Sequence, residues 1–375
     1  MSERLVRVVI EGFKSIRAAD LELRALNVLI GANGAGKSNL LGAFKLLNAL
    51  TANRLAAHVA ESGGAANVLR FGPKVTPQIL LGLDFESDMG RNSYEARLSW
   101  VAPDRFIFAD ERVRFLRTGH ALAADESLGG GHAESRLYAE DLGPKARGVA
   151  SFVRYRMQRW RAYHFHDTSA ESPMKRAAEL VDDRFLRGDG GNIAAFVRML
   201  KLAHPAHYSR VRAAVQRAFP AFDDFVAEPS RSGPGSILLT WRELGQPHEL
   251  GPHQLSDGTL RFICLAALLL QPWDHENAPS CITIDEPELG LHPAAIGLLA
   301  ELVRDAARQV QVVVSTQSPG LISALDDPEA VVVVDRDPGT RESTFARQSR
   351  PRLDAWLAEY TLGEAWEKGV LGGRP

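Results

Sequence analysis

The sequence predicts an α/β fold that combines a mixed sheet with an antiparallel β lobe and a helical insertion. Short apolar segments at 5–10, 21–24 and 26–30 are typical of strands, and the last runs into a glycine-rich turn and a helical pattern over 37–50. Apolar and polar residues alternate repeatedly over 78–116, as in a small antiparallel sheet. Strands and helices alternate again in the second half of the chain, which is the pattern of an α/β protein.

Strands and helices also alternate along the second half of the chain. We predict a strand at 237–241, a helix at 258–270, strands at 281–284 and 310–315 separated by a helix after Pro293, and a strand at 330–334. Continuous apolar segments such as CITI and VVVV suit strands of a parallel sheet that is covered on both faces. We therefore expect the two halves of the chain to contribute to one split sheet.

Length sets the scale of the domain organisation. A chain of 375 residues is long enough for one large α/β domain with insertions or for two domains. The glycines and polar residues after residue 117 lack sustained periodicity and are interpreted as a loop or a link. The predicted segments are the first part of the core with the β lobe at 1–117, this link at 118–149, a helical insertion at 150–235, the second part of the core at 236–345 and a helical tail at 346–375.

The composition is not that of a disordered, fibrous or membrane protein. Hydrophobic residues make up 45% of the chain and charged residues 24%, which are values of an ordinary globular protein. The net charge of −2 provides no global attraction to nucleic acid. Cys264 and Cys281 both lie in apolar segments, as buried reduced thiols do, and no segment approaches the roughly 20 apolar residues that span a bilayer. We expect a cytoplasmic protein with no membrane partner.

Residues 31–38 carry the most specific motif of the chain. They read GANGAGKS, which matches G-x-x-x-x-G-K-[ST] and lies between an apolar strand and a helix, as a P-loop NTPase requires. Its glycines let successive N–H groups face phosphates at a helix N-terminus. Lys37 is expected to reach the β- and γ-phosphates of ATP, and Ser38 to bind Mg²⁺. The other residues assigned to the nucleotide are Gly31, Ala32, Asn33, Gly34, Ala35, Gly36 and Asn39.

An acidic pair follows the apolar segment CITI. Asp285 and Glu286 are predicted to lie at the carboxyl end of a buried strand, where open α/β sheets bind ligands. Asp285 would bind Mg²⁺ through its water shell. Glu286 would polarise the water that attacks the γ-phosphate, so ATP hydrolysis is the predicted reaction.

A second anion-binding helix end is predicted at residues 255–262, LSDGTLRF. Ser256 or Asp257 suits the N-cap of the apolar helix that follows, and Gly258 allows close approach. A capped core helix is the alternative interpretation. Because the glycine-rich loop already accounts for one side of the γ-phosphate, this helix end is best explained if it contacts a nucleotide bound by another copy of the chain.

Five motifs together resemble the RecF/SMC branch of ABC-type ATPases. They are similar, more narrowly, to stand-alone RecF-like ATPases related to the ATPase half of the overcoming-lysogenization-defect (OLD) nucleases. The motifs occur in family order across residues 1–345 and are EGFKSI at 11–16, GANGAGKSN, LSDGT, IDEPELGLHP and STQSP at 315–319. The resemblance implies an ABC-type ATPase head.

The resemblance also implies a dimer and further site residues. Two ATP molecules would lie between two protomers, with Ser256 and Gly258 of one protomer facing the γ-phosphate bound by Lys37 of the other. Lys14 of the FKS motif would lie near the nucleotide. The family often has histidine where this chain has Gln317, and an amide can still orient a water.

Other departures and motifs are less informative. His292 stands where many transporter ATPases have aspartate, and no Q-loop glutamine is identified. His164 and His166 have a spacing that metal ligands use, but a structural role is favoured because no third ligand is evident. Asp335 and Asp337 could suggest a Toprim nuclease, but too few residues follow them, so a turn after a strand is the better interpretation.

Two hypotheses of function remain. The first is an ATP-gated homodimer that acts on DNA in repair, recombination or anti-phage defence. It draws on residues 145–218, which hold 15 Lys and Arg against 6 Asp and Glu, with Trp160 available to stack on an exposed base. The second is an ATP-switched module that regulates a partner effector protein without DNA contact. A transporter ATPase is disfavoured by the absence of a predicted membrane span, and a long SMC-type arm by chain length.

Overall fold

The computed structural model describes residues 3–229, 233, 235–275 and 277–373. The chain divides into two compact units. Unit 1 comprises Met1–Trp160, Glu329–Arg352 and Gly369–Pro375, and unit 2 comprises Arg161–Pro328 and Leu353–Lys368.

The strands of the described residues are numbered in chain order. They are β1 (Arg4–Phe13), β2 (Ile16–Glu22), β3 (Leu26–Ile30), β4 (Gln78–Ser87), β5 (Gly90–Val101), β6 (Arg105–Arg117), β7 (Ala124–Gly129), β8 (Trp160–Tyr163), β9 (Ala178–Glu179), β10 (Phe222–Val226), β11 (Ser236–Ile237), β12 (Thr240–Glu243), β13 (Glu249–Leu250), β14 (Cys281–Asp285), β15 (Gln311–Thr316), β16 (Val331–Arg336) and β17 (Ser343–Arg347).

The α-helices are numbered in the same way. They are α1 (Lys37–Thr51), α2 (Leu55–Glu61), α3 (Ala65–Val68), α4 (Pro144–Gln158), α5 (Ile193–Ala203), α6 (Pro205–Ala218), α7 (Asp257–Leu269), α8 (Pro293–Ala307), α9 (Pro319–Leu325), α10 (Arg350–Leu357) and α11 (Leu362–Glu367).

Unit 1 contains the antiparallel β lobe that the sequence predicts. Its strands follow the order β2-β1-β4-β5-β6-β7, and every neighbouring pair is antiparallel. Alternate side chains of β4 and β5, such as Leu81 and Ala96, are buried, because successive residues of a strand point to opposite faces. Helix α4 packs on β5 and β6, and Phe152 meets Phe85 edge to face.

Unit 1 also contains the strand that leads into the glycine-rich loop. Strand β3 is completely buried and pairs in parallel with β16, so that Leu29 lies opposite Val332. The other edge of β16 pairs antiparallel with β17. Parallel and antiparallel pairs therefore occur in one sheet, which confirms the predicted mixed sheet.

Unit 2 contains the strand that ends in the acidic pair. Strands β14 and β15 pair in parallel, with Ile284 opposite Val314, and their apolar residues are buried. Helix α7 packs against α5, α6 and α8. Strands β10, β12 and β13 form a small antiparallel sheet, and β9 pairs with β11.

The secondary structure differs from the sequence prediction in several places. The stretch 118–149, interpreted as a loop or link, is not irregular throughout, because it contains β7 and the start of α4. Strand β7 is a polar edge strand in which Leu128 is the buried apolar residue, so it lacks the alternation that identifies a strand. The strand expected at 21–24 begins earlier, at Ile16, and that expected at 237–241 is divided between β11 and β12.

The predicted helical insertion is only partly helical. Helices α4, α5 and α6 lie in or overlap it, but β8, β9 and irregular backbone separate α4 from α5. The division into five domain segments and the single split sheet stay predictions. Among the described residues, no helix combines the length and the apolarity that crossing a bilayer requires.

Candidate functional site

Three glycines of the glycine-rich loop adopt backbone conformations that favour glycine. Gly31, Gly34 and Gly36 take φ values of 153°, 78° and 117°, a region that side chains with a Cβ rarely adopt. A Cβ at Gly31 would lie 2.0 Å from the carbonyl oxygen of Val334. Gly31 therefore lets the loop pass directly over β16.

Lys37 begins helix α1 and is buried, with 5% of its surface exposed. Its Nζ donates to the carbonyl oxygens of Gly31 at 2.5 Å and of Ala32 at 3.1 Å. The ammonium thus links the start of helix α1 to the first two residues of the loop. Ser38 is exposed on the first turn of the helix. The loop joins a strand to a helix N-terminus, which is the geometry of an anion site.

A chain of hydroxyl groups supports the loop from the hairpin of β16 and β17. Ser343 donates from Oγ to the carbonyl oxygen of Ala35 at 2.6 Å, and its Oγ lies 2.6 Å from Ser15 Oγ. Asn39 donates from Nδ2 to Ser15 Oγ at 2.6 Å. Since each hydroxyl has one proton, Ser15 must donate to Ser343. A Cβ at Gly36 would lie 2.1 Å from Ser343 Oγ, so a glycine is required there.

Lys14 lies beside helix α1 and does not contact the loop directly. Its Nζ is 5.5 Å from the centre of the Phe13 ring and would lie 3.6 Å from a Cβ at Gly42. Burial lowers the pKa of Lys14, and the charge of Lys45 lowers it further. Lys14 also takes a positive φ of 47°. In the FKS motif, Ser15 is joined to the loop through Ser343 and to helix α1 through Asn39.

The acidic pair lies where the sequence predicts it, at the end of β14. Asp285 closes the strand and Glu286 follows with a φ of 44°, a strained conformation for a residue with a side chain. The amide of Glu286 donates to the carbonyl oxygen of Ser315 at 2.8 Å. Gln317 donates from Nε2 to Glu286 Oε1. Two residues that the sequence assigned separately to hydrolysis are therefore in direct contact.

His166 contacts the same strand end. Its Nε2 lies 3.0 Å from the carbonyl oxygen of Asp285, which can only accept, so Nε2 carries the proton. His164 is exposed, and among the described residues no cluster of three or more metal-binding side chains exists. A structural role for His166, as the sequence favoured, is consistent with this contact. Its link to Asp285 was not predicted, because the two residues are far apart in the chain.

The second predicted anion site is a capped helix end. Ser256 is the N-cap of α7 and accepts from the amide of Thr259 at 3.1 Å. A Cβ at Gly258 would lie 2.3 Å from the carbonyl oxygen of Gly290. Gly258 is therefore required for close packing of α7 against the loop that follows the acidic pair.

Arg261 joins this helix to two loops and was missed by sequence analysis. It donates from Nε to the carbonyl of Phe165 at 2.8 Å, from Nη1 to that of Leu289 at 2.9 Å and from Nη2 to that of His166 at 2.8 Å. Arg261 could have been identified from its position three residues after Gly258, on the same face of the helix. Arg261 fixes the backbone near the acidic pair relative to α7.

His292, a departure from the transporter pattern, and Asp337, of the D-x-D pair, both have structural explanations. His292 is the N-cap of α8, and its Nδ1 accepts from the amide of Ala294 at 3.3 Å. Asp337 accepts from the amides of Gly339 at 2.9 Å and Thr340 at 2.6 Å, and these bonds lower its pKa. The interpretation of Asp337 as part of a turn after a strand is confirmed.

The basic stretch differs in part from expectation. Trp160 is only 5% exposed and packs on Phe44 and Phe85, so the expectation that it stacks on a base is wrong. Arg156 pairs with Glu3 at 3.6 Å. Tyr155 is exposed, and the guanidinium of Arg159 lies 5.1 Å from the centre of its ring.

The fold defines a structural class, that of ABC-type P-loop ATPase heads. It is similar to the crystal structure of an Smc head bound to the C-winged helix domain of ScpA, with a TM-score of 0.60 and 15% identity over 93% of this chain and 99% of that chain. It is also similar to the Smc head domain with an extended coiled coil bound to the C-terminal domain of ScpA, derived from Pyrococcus furiosus. That TM-score is 0.58, with 13% identity over 95% of this chain and 99% of that chain.

Within this class, the chain belongs to the family described as "AAA domain, putative AbiEii toxin, Type IV TA system", whose model matches residues 26–323. A relative is the DNA replication and repair protein RecF of Renibacterium salmoninarum, which is 29% identical over 221 residues. The match covers 54% of this chain and 53% of RecF, so the chain spans about half the length of this curated relative. The predicted RecF/SMC-type ATPase family is confirmed.

Proposed function

We propose that the chain binds ATP with Mg²⁺ and hydrolyses it to ADP and phosphate. The observation that carries this proposal is the loop over 31–38, in which glycines of positive φ and Lys37 form a phosphate-binding turn at a helix start. The match of the chain to the AAA-domain family supports the same reaction.

Each remaining residue has a role that its chemistry suits. Ser38 and Asp285 provide hydroxyl and carboxylate oxygens, which Mg²⁺ prefers, and the ion would neutralise charge on the phosphates. Glu286 polarises the attacking water as a general base. Gln317, in contact with Glu286, orients that water. The amides of Ala32, Asn33 and the other loop residues bind the phosphates.

The reaction is tested by measuring phosphate release from ATP. We expect turnover with Mg²⁺ and none after chelation with EDTA. A purified chain that binds ATP but releases no phosphate with Mg²⁺ would contradict the hydrolysis proposal while leaving nucleotide binding intact.

The protein is further proposed to work as an ATP-gated homodimer. Ser256 is exposed at the N-terminus of α7 and Gly258 lies beside it, so this helix end is open to a γ-phosphate bound by a second copy. ATP would then join the two protomers, and hydrolysis would release them.

The dimer is tested by light scattering of Glu286→Gln, the variant expected to retain ATP. We expect its mass to double with ATP and Mg²⁺, and Ser256→Arg to prevent the doubling. Ser209→Arg, on the exposed face of α6, is the matched control and should dimerise. A mass that never changes with ATP would contradict the sandwich.

We propose DNA as the ligand of the dimer, in repair, recombination or anti-phage defence. The excess of Lys and Arg over 145–218 and the name of the RecF relative support this. Backbone contacts carry no sequence information, so binding should be weakly sequence-dependent and should weaken steeply as salt rises.

The DNA proposal is tested by titrating DNA at several salt concentrations with and without ATP. Arg159→Ala should lower the salt slope by about one, as expected for the loss of one phosphate contact. Arg308→Ala, an exposed arginine outside the basic stretch, is the control and should leave the slope unchanged.

A second candidate is an ATP-switched module that regulates a partner effector protein. The burial of Trp160 and the ion pair of Arg156 favour it, because both remove groups that the DNA hypothesis invoked. Absence of DNA binding by the ATP-bound protein at low salt would select this candidate.

A further inference from the structure

Glu288 is a half-buried acid in the loop after β14 to which sequence analysis assigned no role. Its Oε1 accepts from Thr316 Oγ1 at 2.5 Å and from the amide of Gln317 at 3.2 Å. Its Oε2 is buried and has no hydrogen-bond partner among the described residues. Burial raises the pKa of Glu288 and the charge of Glu286 raises it further, against hydrogen bonds from Thr316 and Gln317.

A carboxylate oxygen that is buried and has no hydrogen-bond partner is costly, so the burial of Oε2 calls for an explanation. The hydrogen bonds of Glu288 Oε1 provide an explanation, because both donors belong to the segment that carries Gln317. Thr316 Oγ1 also accepts from the amide of Ser318 at 3.0 Å, and Ser318 caps α9. Glu288 is thus hydrogen-bonded on one side to residues 316 and 317, and through Thr316 to the start of α9.

The position of Gln317 therefore has two supports. Its main-chain amide is bonded to Glu288, and its side-chain amide donates to Glu286. Glu286 itself is bonded through its amide to the carbonyl of Ser315. The loop at 286–288 and the 315–318 segment at the end of β15 are consequently joined by hydrogen bonds that converge on the pair Glu286 and Gln317.

We propose that Glu288 is a positioning residue that holds the 315–318 segment so that the Gln317 amide stays on Glu286. This inference rests on the proposed ATP hydrolysis and deepens it. Glu288 touches neither nucleotide nor water in this account, and it acts through Gln317. An acceptor is required at position 288, whereas a negative charge is not.

The first test is amide hydrogen exchange of the 315–318 segment, read from peptides by mass spectrometry. In Glu288→Ala the amide of Gln317 loses its acceptor, and its exchange should accelerate at least about tenfold. In Glu288→Gln the side-chain carbonyl still accepts, and exchange should stay close to that of the wild type. Unchanged exchange in Glu288→Ala overturns the proposal, whatever the ATPase activity is.

The second test is a double-mutant cycle on turnover. Glu288→Ala should lower kcat about tenfold with little change in KM, because only the arrangement for hydrolysis is disturbed. Glu288→Gln should stay within about threefold of the wild type. In a Gln317→Ala background, Glu288→Ala should cost less than about twofold, because the residue through which it acts is gone.

The control is Glu111, a buried acid of β6 that accepts from Tyr94, Ser135 and the amide of Arg136. Glu111→Gln should lower the melting temperature without a specific loss of kcat, and its effect should be equal in both backgrounds. If Glu288→Ala lowers kcat by the same factor in the wild-type and the Gln317→Ala backgrounds, the role of Glu288 is only structural and the proposal is overturned. A wild type that hydrolyses no ATP contradicts the proposed function, while hydrogen exchange still decides what Glu288 does.

Discussion

Glu286 combines two properties that structural residues seldom share. Its backbone is strained at a φ of 44°, and its carboxylate accepts a hydrogen bond from Gln317. Such strain persists only where the surrounding structure imposes it, and here the bond from the Glu286 amide to Ser315 contributes. The strained backbone is consistent with the role as general base that we propose.

We predict that Glu286→Gln binds ATP as tightly as the wild type but hydrolyses it roughly 10²–10⁴-fold more slowly, the usual scale for loss of a positioned base. Single-turnover phosphate release measures this. Glu249→Gln, an exposed acid on β13, is the control and should turn over normally. Equal turnover of Glu286→Gln would assign the base to another residue.

For Gln317 we predict that replacement by His is tolerated and that replacement by Ala slows hydrolysis. An imidazole N–H can donate to Glu286 as the amide does, and a methyl group cannot. The comparison of kcat among the three proteins measures the effect. Normal turnover of Gln317→Ala would remove this residue from the site.

At the scale of elements, the hairpin of β16 and β17 determines the shape of the glycine-rich loop. Val334 lies under Gly31, Ser343 bonds to Ala35, and Arg336 donates to the carbonyl of Gly34 at 3.3 Å. These contacts come from residues about 300 positions away along the chain. The loop is therefore pre-formed by packing and by hydrogen bonds.

We predict that Gly36→Ala destabilises the fold more than Gly34→Ala does. Both residues have positive φ, but a Cβ at Gly36 would collide with Ser343, whereas in the described part of the chain no atom beyond the two neighbouring residues lies within 4 Å of a Cβ at Gly34. Strain alone should cost about 1 kcal/mol at Gly34, and strain with crowding at least about 3 kcal/mol at Gly36. Chemical denaturation measures both free energies of unfolding. Equal losses would show that Ser343 does not constrain the loop.

The sequence was sufficient for features that local chemistry encodes. The loop over 31–38, helix α1 and the acidic end of β14 were predicted because glycine spacing, apolar runs and capping residues are local signals. Contacts such as Arg261 with Phe165, or His166 with Asp285, could not be predicted because they depend on tertiary packing. Strand β7 was missed because a solvated edge strand need not alternate.

At the scale of the whole molecule, composition predicted an ordinary globular chain but did not predict which charged or aromatic side chains are accessible. Trp160 looked available beside four arginines in the sequence, yet it belongs to the core of unit 1. The family, by contrast, follows from motif order over most of the chain, and the family match over residues 26–323 confirms it. Motif order is thus more informative about function here than local charge.

The central claim is that the loop over 31–38 binds ATP, and titration calorimetry of the wild type and Lys37→Ala with ATP and Mg²⁺ tests it most directly. Lys45→Ala, an exposed lysine on the same helix, is the matched control. We predict one ATP bound per chain by the wild type and by the control, and at least about a 100-fold loss of affinity in Lys37→Ala, since a charge-assisted contact to the phosphates is removed. Equal ATP affinity in all three proteins, each shown to be folded, would contradict the account.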